Sequence, residues 1–224
     1  SGNANYTAAA QVQQSFTITK ALTTLSSWSN VTKTYGDAAY TVTAPTVVGS
    51  IPGSFSYTSS NTAVISIASA LFTVAGGGSA TITALFTPTD SANYETATVT
   101  QLVTVNRASQ SSLTITTTTT SYGQVLSLAA SGGSGSGSLS FARVAGTCTI
   151  SGSSLTPTAT GSCTITATKA SDDNYLTETS SVTTITISAG SATASISFAS
   201  TTFTFGITNQ ITVTTSAAGN VCSR

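Results

Sequence analysis

A chain of 224 residues with six basic and six acidic side chains has no formal net charge, so nothing electrostatic draws it to nucleic acid or an anionic membrane surface. His and Met are absent, which excludes every imidazole-based triad or zinc site. No apolar run approaches the ~20 residues that span a bilayer, so membrane insertion is not expected. Ser and Thr fill 86 positions, yet 39% hydrophobic content and a positive mean hydropathy argue against disorder.

Taken in chain order, the sequence repeats itself. Residues 1–19 open with Asn5-Tyr6 and end on Phe16 and Ile18 alternating with Thr; they read as the final hairpin of a preceding unit. Residues 20–106 form a complete unit beginning at Lys20. It carries Trp28, the turn Tyr35-Gly36, strand patterns at Phe55/Tyr57 and Ala80/Ile82/Ala84, a second Asn-Tyr at 93–94, and Val103/Val105. Residues 107–188, entered through Arg107-Ala108, repeat the series with Ile115, Tyr122-Gly123, Leu139/Phe141, Cys163/Ile165/Ala167, Asn174-Tyr175 and Ile185/Ile187. Residues 189–224 offer Phe198 and Phe205-Gly206, the opening strands of an incomplete unit. Each large apolar residue, Trp28, Ile115 or Phe198, lies seven positions before its aromatic-Gly pair and reads as a core plug.

The local period is two, and no segment sustains a helical i, i+3, i+4 stripe. Turn signals recur every 8–12 residues or so, as at Ile51-Pro52-Gly53, Gly76 to Gly78 and Asp172-Asp173-Asn174, the spacing of an all-β antiparallel sandwich. The tyrosine of each Asn-Tyr stands where sandwich folds place one whose hydroxyl bonds back to the turn.

Thr34-Tyr35-Gly36-Asp37, Ser59 to Val64, Gly146-Thr147-Cys148-Thr149-Ile150 and the run Gly161 to Ala170 resemble the bacterial immunoglobulin-like repeats of very large secreted surface proteins. The resemblance implies tandem immunoglobulin-like antiparallel β-sandwiches at the cell surface, serving as stalk, spacer or fibre body. Its partners would be copies of itself or neighbouring repeats of the same polypeptide. Two routes follow for the ends: head-to-tail strand donation, with Phe16 and Ile18 meeting the face of Ile196, Phe198, Phe203 and Phe205, or membership of a longer polypeptide. The alternative function is a carbohydrate-binding or spacer module engaging surface glycans. That reading calls for an exposed aromatic platform on one unit, whereas the aromatics recur at matched positions.

Aligning the two full units puts Cys148 and Cys163 where the first has Ile65 and Ala80, inward-facing positions expected on two neighbouring strands. The pair is expected to form a disulfide worth ~3 kcal/mol and to imply an oxidising, extracellular setting; the alternative is two buried thiols. Cys222 is left over, for an intermolecular bond, a free thiol or a partner elsewhere. Asp37, Asp90, Asp172 and Asp173 lie in loops where Ca²⁺ could bind, but turn geometry is the expected use, and no metal or cofactor is assigned. No catalytic residue is assigned either: the six acids offer no facing pair, and Lys20, Lys33 and Lys169 form no Ser-x-x-Lys. Lys33 is the one candidate for a Lys–Asn isopeptide crosslink. Gly132 to Gly137 lacks the lysine of a phosphate loop and reads as a floppy hairpin tip. Asn5-Tyr6-Thr7 and Asn30-Val31-Thr32 match the glycan acceptor pattern at Asn5 and Asn30.

Overall fold

The computed structural model describes residues 4–191, 194–198, 205–206 and 211–215, with 194–198 and 211–215 described through their backbone. The described residues contain strands and turns and no α-helix. The chain divides into two compact units, Ser1–Ala108 with Asp173–Tyr175, and Ser109–Asp172 with Leu176–Arg224.

Unit 1 contains β1 (Val31–Thr34), β2 (Tyr40–Thr41), β3 (Gly53–Ser59), β4 (Ile65–Ala68), β5 (Leu71–Val74), β6 (Gly78–Pro88) and β7 (Ala97–Asn106). They form two sheets, of order β1-β7-β6-β3 and β2-β5-β4. In β6 the alternation of Ala80, Ile82, Ala84 and Phe86 with mostly polar residues buries one face and wets the other. Ala80 and Ile82 from β6, Val103 and Val105 from β7, and Ile65 and Phe72 from the opposite sheet make one cluster. Burial of a side chain such as Phe72, fully removed from solvent, contributes ~1.5–3 kcal/mol.

Unit 2 repeats the plan with β8 (Thr114–Ile115), β9 (Thr119–Ser121), β10 (Leu126–Ser127), β11 (Ala130–Ser131), β12 (Leu139–Gly146), β13 (Cys148–Ser151), β14 (Ser154–Pro157), β15 (Gly161–Lys169), β16 (Glu178–Thr179) and β17 (Thr183–Ser188). Its main sheet is β12-β15-β17-β9, with β16 also on β15; β10-β14-β13 and β11-β8 pair separately. Ile115, Leu155, Ile165, Ile185 and the two cysteines fill the core. Two further strands, β18 (Ala194–Phe198) and β19 (Ile211–Thr215), pair antiparallel.

The all-β sandwich matches the periodicity, with three differences. In both units the closing pair is parallel, β1 with β7 and β9 with β17, because the first long strand and the last run in the same direction. Residues 7–20 form no ladder among the described residues, and Phe16 and Ile18 are each 83% exposed. An alternating pattern makes a strand only where a sheet edge receives it. The third difference is the Gly132 to Gly137 loop, which is pinned rather than floppy. Gly133 N–H donates to the Ser111 carbonyl at 3.2 Å, Gly135 N–H to Gln110 Oε1 at 3.2 Å, and Ser136 N–H to Asp172 Oδ2 at 2.6 Å. A Cβ at Gly132 or Gly137 would lie 2.0 Å from a carbonyl oxygen, so these glycines allow close backbone approach.

Candidate functional site: the strand clamps, the disulfide and a cleft in unit 1

The parallel pairs end in the same turn in both units. Val31 to Thr34 pair with Val103 to Asn106, and the ladder continues through Tyr35 N–H to the Asn106 carbonyl at 2.9 Å. Thr119 to Ser121 pair with Thr186 to Ser188, and Tyr122 N–H donates to the Ser188 carbonyl at 2.9 Å. The chain then reverses: Asp37 N–H reaches the Thr34 carbonyl and Gln124 N–H the Ser121 carbonyl, both at 3.0 Å. Gly36 and Gly123 take φ +90° and +85°, as the third position of a type II turn demands. Gly206, after Phe205, has φ +87°, close to the values at Gly36 and Gly123.

Side chains reinforce the clamp. Leu102 N–H donates to Asn30 Oδ1 at 3.0 Å, and Gln101 Nε2 to the Ser29 carbonyl at 2.5 Å. In unit 2 the Ser121 and Ser188 hydroxyls lie 2.9 Å apart. Two Asn-Tyr pairs are held through main chain, in parallel bridges of Ala21 with Tyr94 and Ala108 with Tyr175. Nearby, Thr23 Oγ1 donates to the Glu95 carbonyl at 2.6 Å, and the buried Gln110 does the same job with Nε2 to the Leu176 carbonyl at 2.7 Å.

Cys148 and Cys163 are disulfide-bonded, with Cα atoms 5.8 Å apart. They are not on neighbouring strands of one sheet, as the repeat alignment implied. Gly146 still pairs with Cys163 in the main sheet; two residues later the chain has crossed into the other sheet, so the bond ties the two layers together. Ile65 and Ala80, both buried, stand at the same strand positions in unit 1.

The loop acids are engaged in turns. Asp90 accepts from the Asn93 main chain at 3.2 Å and from its side-chain amide at 2.8 Å, and that side-chain bond holds the Asp90 carboxyl below the usual range. Asp37 Oδ2 accepts from Thr34 N–H at 2.9 Å, and Asp172 holds Ser136. Among the described residues no three Asp, Glu, Cys or His side chains gather around a common point. Asn5 and Asn30 are both exposed; the Asn30 carbonyl oxygen is committed to β7. Cys222 and Phe203 lie outside the described residues, as do the side chains of Ile196 and Phe198.

One feature belongs to unit 1 alone. Trp28, Asn30, Lys33, Tyr40, Gln101 and the Thr41–Thr46 segment line a cleft of about 480 Å³. Trp28 is half-buried, packed 5.8 Å from Tyr57 between ring centroids, and its Nε1 donates to the Thr43 carbonyl at 3.1 Å. Ile115, its counterpart, is fully inside its core, so the plug reading describes unit 2 better than unit 1. Lys33 Nζ stands 4.4 Å from the Tyr40 ring centroid. Gln101 is only 4% exposed, and its Oε1, like the buried Tyr40 hydroxyl, has no hydrogen-bond partner. Neither residue was singled out from sequence. The signal was a glutamine in phase with Val103 and Val105, on the inward face of β7.

No family model matches the sequence, and no curated protein does. Among solved structures the chain is similar to Drosophila N-cadherin EC1-4, at 10% identity and TM-score 0.43, over 77% of this chain and 50% of that one. It is also similar to human protocadherin-24 EC1-2 (12% identity, TM-score 0.35, 72% and 93% covered) and to the protocadherin gamma B4 extracellular domain (13%, 0.38, 76% and 34%). The chain thus spans about half the N-cadherin fragment and a third of the gamma B4 one. At TM-scores below 0.5 these likenesses carry no weight here; the sandwich rests on the strand register above.

Proposed function

We propose that the chain is a non-enzymatic structural segment of an extracellular bacterial surface filament or adhesin stalk, whose sandwiches bear tension along the polypeptide. The observation that supports this reading is the parallel clamp. Tension on a unit pulls its first and last strands in opposite directions along their common axis. The ladder bonds between them, which run across that axis, are then strained together instead of opening one at a time. The disulfide adds a covalent tie between the layers of unit 2 and suits an oxidising exterior. Among the described residues no helix is long and apolar enough to cross a membrane.

Single-molecule stretching tests it. Tyr122→Pro removes the bond to Ser188, while Pro is at home in the second position of a type II turn. Unit 2 of this variant is expected to unfold at lower force with its thermal midpoint nearly unchanged. Equal unfolding forces for the variant and the native chain would refute the load-bearing role.

A second reading, compatible with the first, concerns assembly. Phe16-Thr17-Ile18-Thr19 repeats the pattern of Val103-Thr104-Val105 in β7, yet it lies exposed and outside any ladder. It therefore suits strand addition to a sheet edge of another copy or of a neighbouring repeat. Replacing Phe16 and Ile18 by Asp should abolish concentration-dependent self-association in sedimentation; association of undiminished strength excludes donation by this segment.

A further inference from the structure

We infer that β3 of unit 1 is the acceptor edge for a strand from a second copy of this chain, and that Phe16-Thr17-Ile18-Thr19 is the strand it takes. The inference rests on the assembly reading above and adds to it the place where the strand lands.

Three observations converge. The first is the row of main-chain groups that β3 offers. At the two ends of its ladder with β6, Ser60 N–H donates to the Thr81 carbonyl at 3.0 Å and Thr89 N–H to the Pro52 carbonyl at 2.9 Å. Bonded and non-bonded pairs alternate along an antiparallel ladder, so Ser54, Ser56 and Thr58 also bond across to β6. Gly53, Phe55, Tyr57 and Ser59 therefore turn their N–H and C=O groups the other way. β3 is the last strand of its sheet, and among the described residues no main-chain ladder forms on that side. Gly53 is exposed, and the other three are half-buried.

The second observation is that this edge lacks the usual guards. Sheet edges are ordinarily blunted by shortness, charge, proline or a bulge. Among β1 to β17, the edge strands other than β3 and β12 have four residues or fewer. β12 is longer, but its register shifts between Arg143 and Ala145. The Arg143 guanidinium then occupies the Gly146 carbonyl, from Nε at 3.2 Å and from Nη2 at 2.7 Å. β3 has seven residues in unbroken register, with no charged residue and no proline. It is the one long edge of these strands left open to pairing.

The third observation is the match between edge and donor. Residues 16–19 are exposed and outside any ladder, and residues 7–19 carry no charge, so a neutral strand meets a neutral edge. In an extended segment Phe16 and Ile18 share one face, with Thr17 and Thr19 on the other. On β3 the half-buried Phe55 and Tyr57 alternate in the same way with the exposed Ser54, Ser56 and Thr58. Added beside β3, the segment lays Phe16 and Ile18 along Phe55 and Tyr57 and leaves its threonines in water beside the hydroxyl residues. Main-chain bonds supply the affinity of such an addition, and the alternate side chains set its face.

Crosslinking between copies tests the edge. The full chain, with Cys222→Ser to remove the odd thiol, is made as an isotope-labelled Thr17→Cys copy and separately as Ser54→Cys, Ser56→Cys and Thr58→Cys copies. Ala142→Cys, at an exposed position of β12, is the control. The labelled copy is mixed with each of the others under mild oxidation, and mass spectrometry reads the linked peptides. At least one β3 copy is expected to link to Thr17→Cys, and the β12 copy is not. In sedimentation, Ser59→Pro takes an N–H from the free edge and none from the β6 ladder, and it should weaken self-association about tenfold or more. No link to β3, a link to Ala142→Cys in its place, or full-strength association of a folded Ser59→Pro chain overturns this acceptor edge while leaving donation by residues 16–19 standing. A native chain that stays monomeric, or undiminished association with both Phe16→Asp and Ile18→Asp in place, overturns donation and this inference together.

Discussion

Gly36 and Gly123 have open space where a Cβ would stand, yet both sit at positive φ, so the whole cost of a side chain there is conformational. Gly123→Ala should therefore cost ~1–2 kcal/mol of unit 2 stability in urea denaturation, and Gly123→Asn less. Gly146 differs: its Cβ would lie 2.2 Å from the Ser162 carbonyl oxygen, so Gly146→Ala should cost more than Gly123→Ala. The Tyr-Gly turns were legible in sequence because φ > 0 leaves few residue choices. Gln101 and Tyr40 were not, since a glutamine or tyrosine looks alike whether its polar atoms are met or orphaned. Burial also pushes the Tyr40 and Tyr57 hydroxyls above the ordinary tyrosine value. With the folded pKa raised, the stabilisation is complete below the unfolded value of ~10 and declines as pH rises beyond it. Alkaline titration followed by Trp28 emission should accordingly show unit 1 weakening above about pH 10, and Tyr40→Phe should blunt that loss.

At the scale of elements, the disulfide and the Ile65/Ala80 pair fill equivalent places by different chemistry. Reduction of the native chain should cost unit 2 ~3 kcal/mol, read from its denaturation midpoint with and without reductant. The double variant Cys148→Ile/Cys163→Ala, which copies unit 1, should fold and show the same midpoint in both conditions. The repeat alignment placed the cysteines correctly along the chain but on the wrong relation of strands. Period two tells which residues face inward; it does not tell which sheet a strand joins, because both inner faces obey the same alternation. The same blindness hid the parallel closure, since strand direction follows from connections, not from the pattern within a strand. Short elements such as β2 and β10, of two residues each, were equally beyond reach, being held by neighbours more than by their own composition.

Across the whole molecule, the two units rely on different means. The aromatic contacts of Trp28, Tyr40, Phe55, Tyr57, Phe72 and Phe86 all lie in unit 1, while the disulfide lies in unit 2. Tension, heat or denaturant should thus resolve two transitions, and reductant should move one of them. Basic residues are few: Lys33, Arg143 and Lys169 are held in strands, and the exposed Arg107 sits between the end of β7 and the Ala108–Tyr175 bridge, whereas Lys20 ends a long exposed segment outside any ladder. Limited trypsinolysis should cut first after Lys20 and leave a 21–224 product by mass spectrometry. The matched positions of Ile65 with Cys148 and Ala80 with Cys163 bear also on descent. A lineage exchanging one solution for the other must change two codons, and either single change leaves one buried thiol, which packs as a small apolar side chain. The intermediate is a folded sandwich rather than a broken one. A crosslink can therefore be gained in a repeat through a folded intermediate, whereas shedding one gives up the ~3 kcal/mol that the bond contributes.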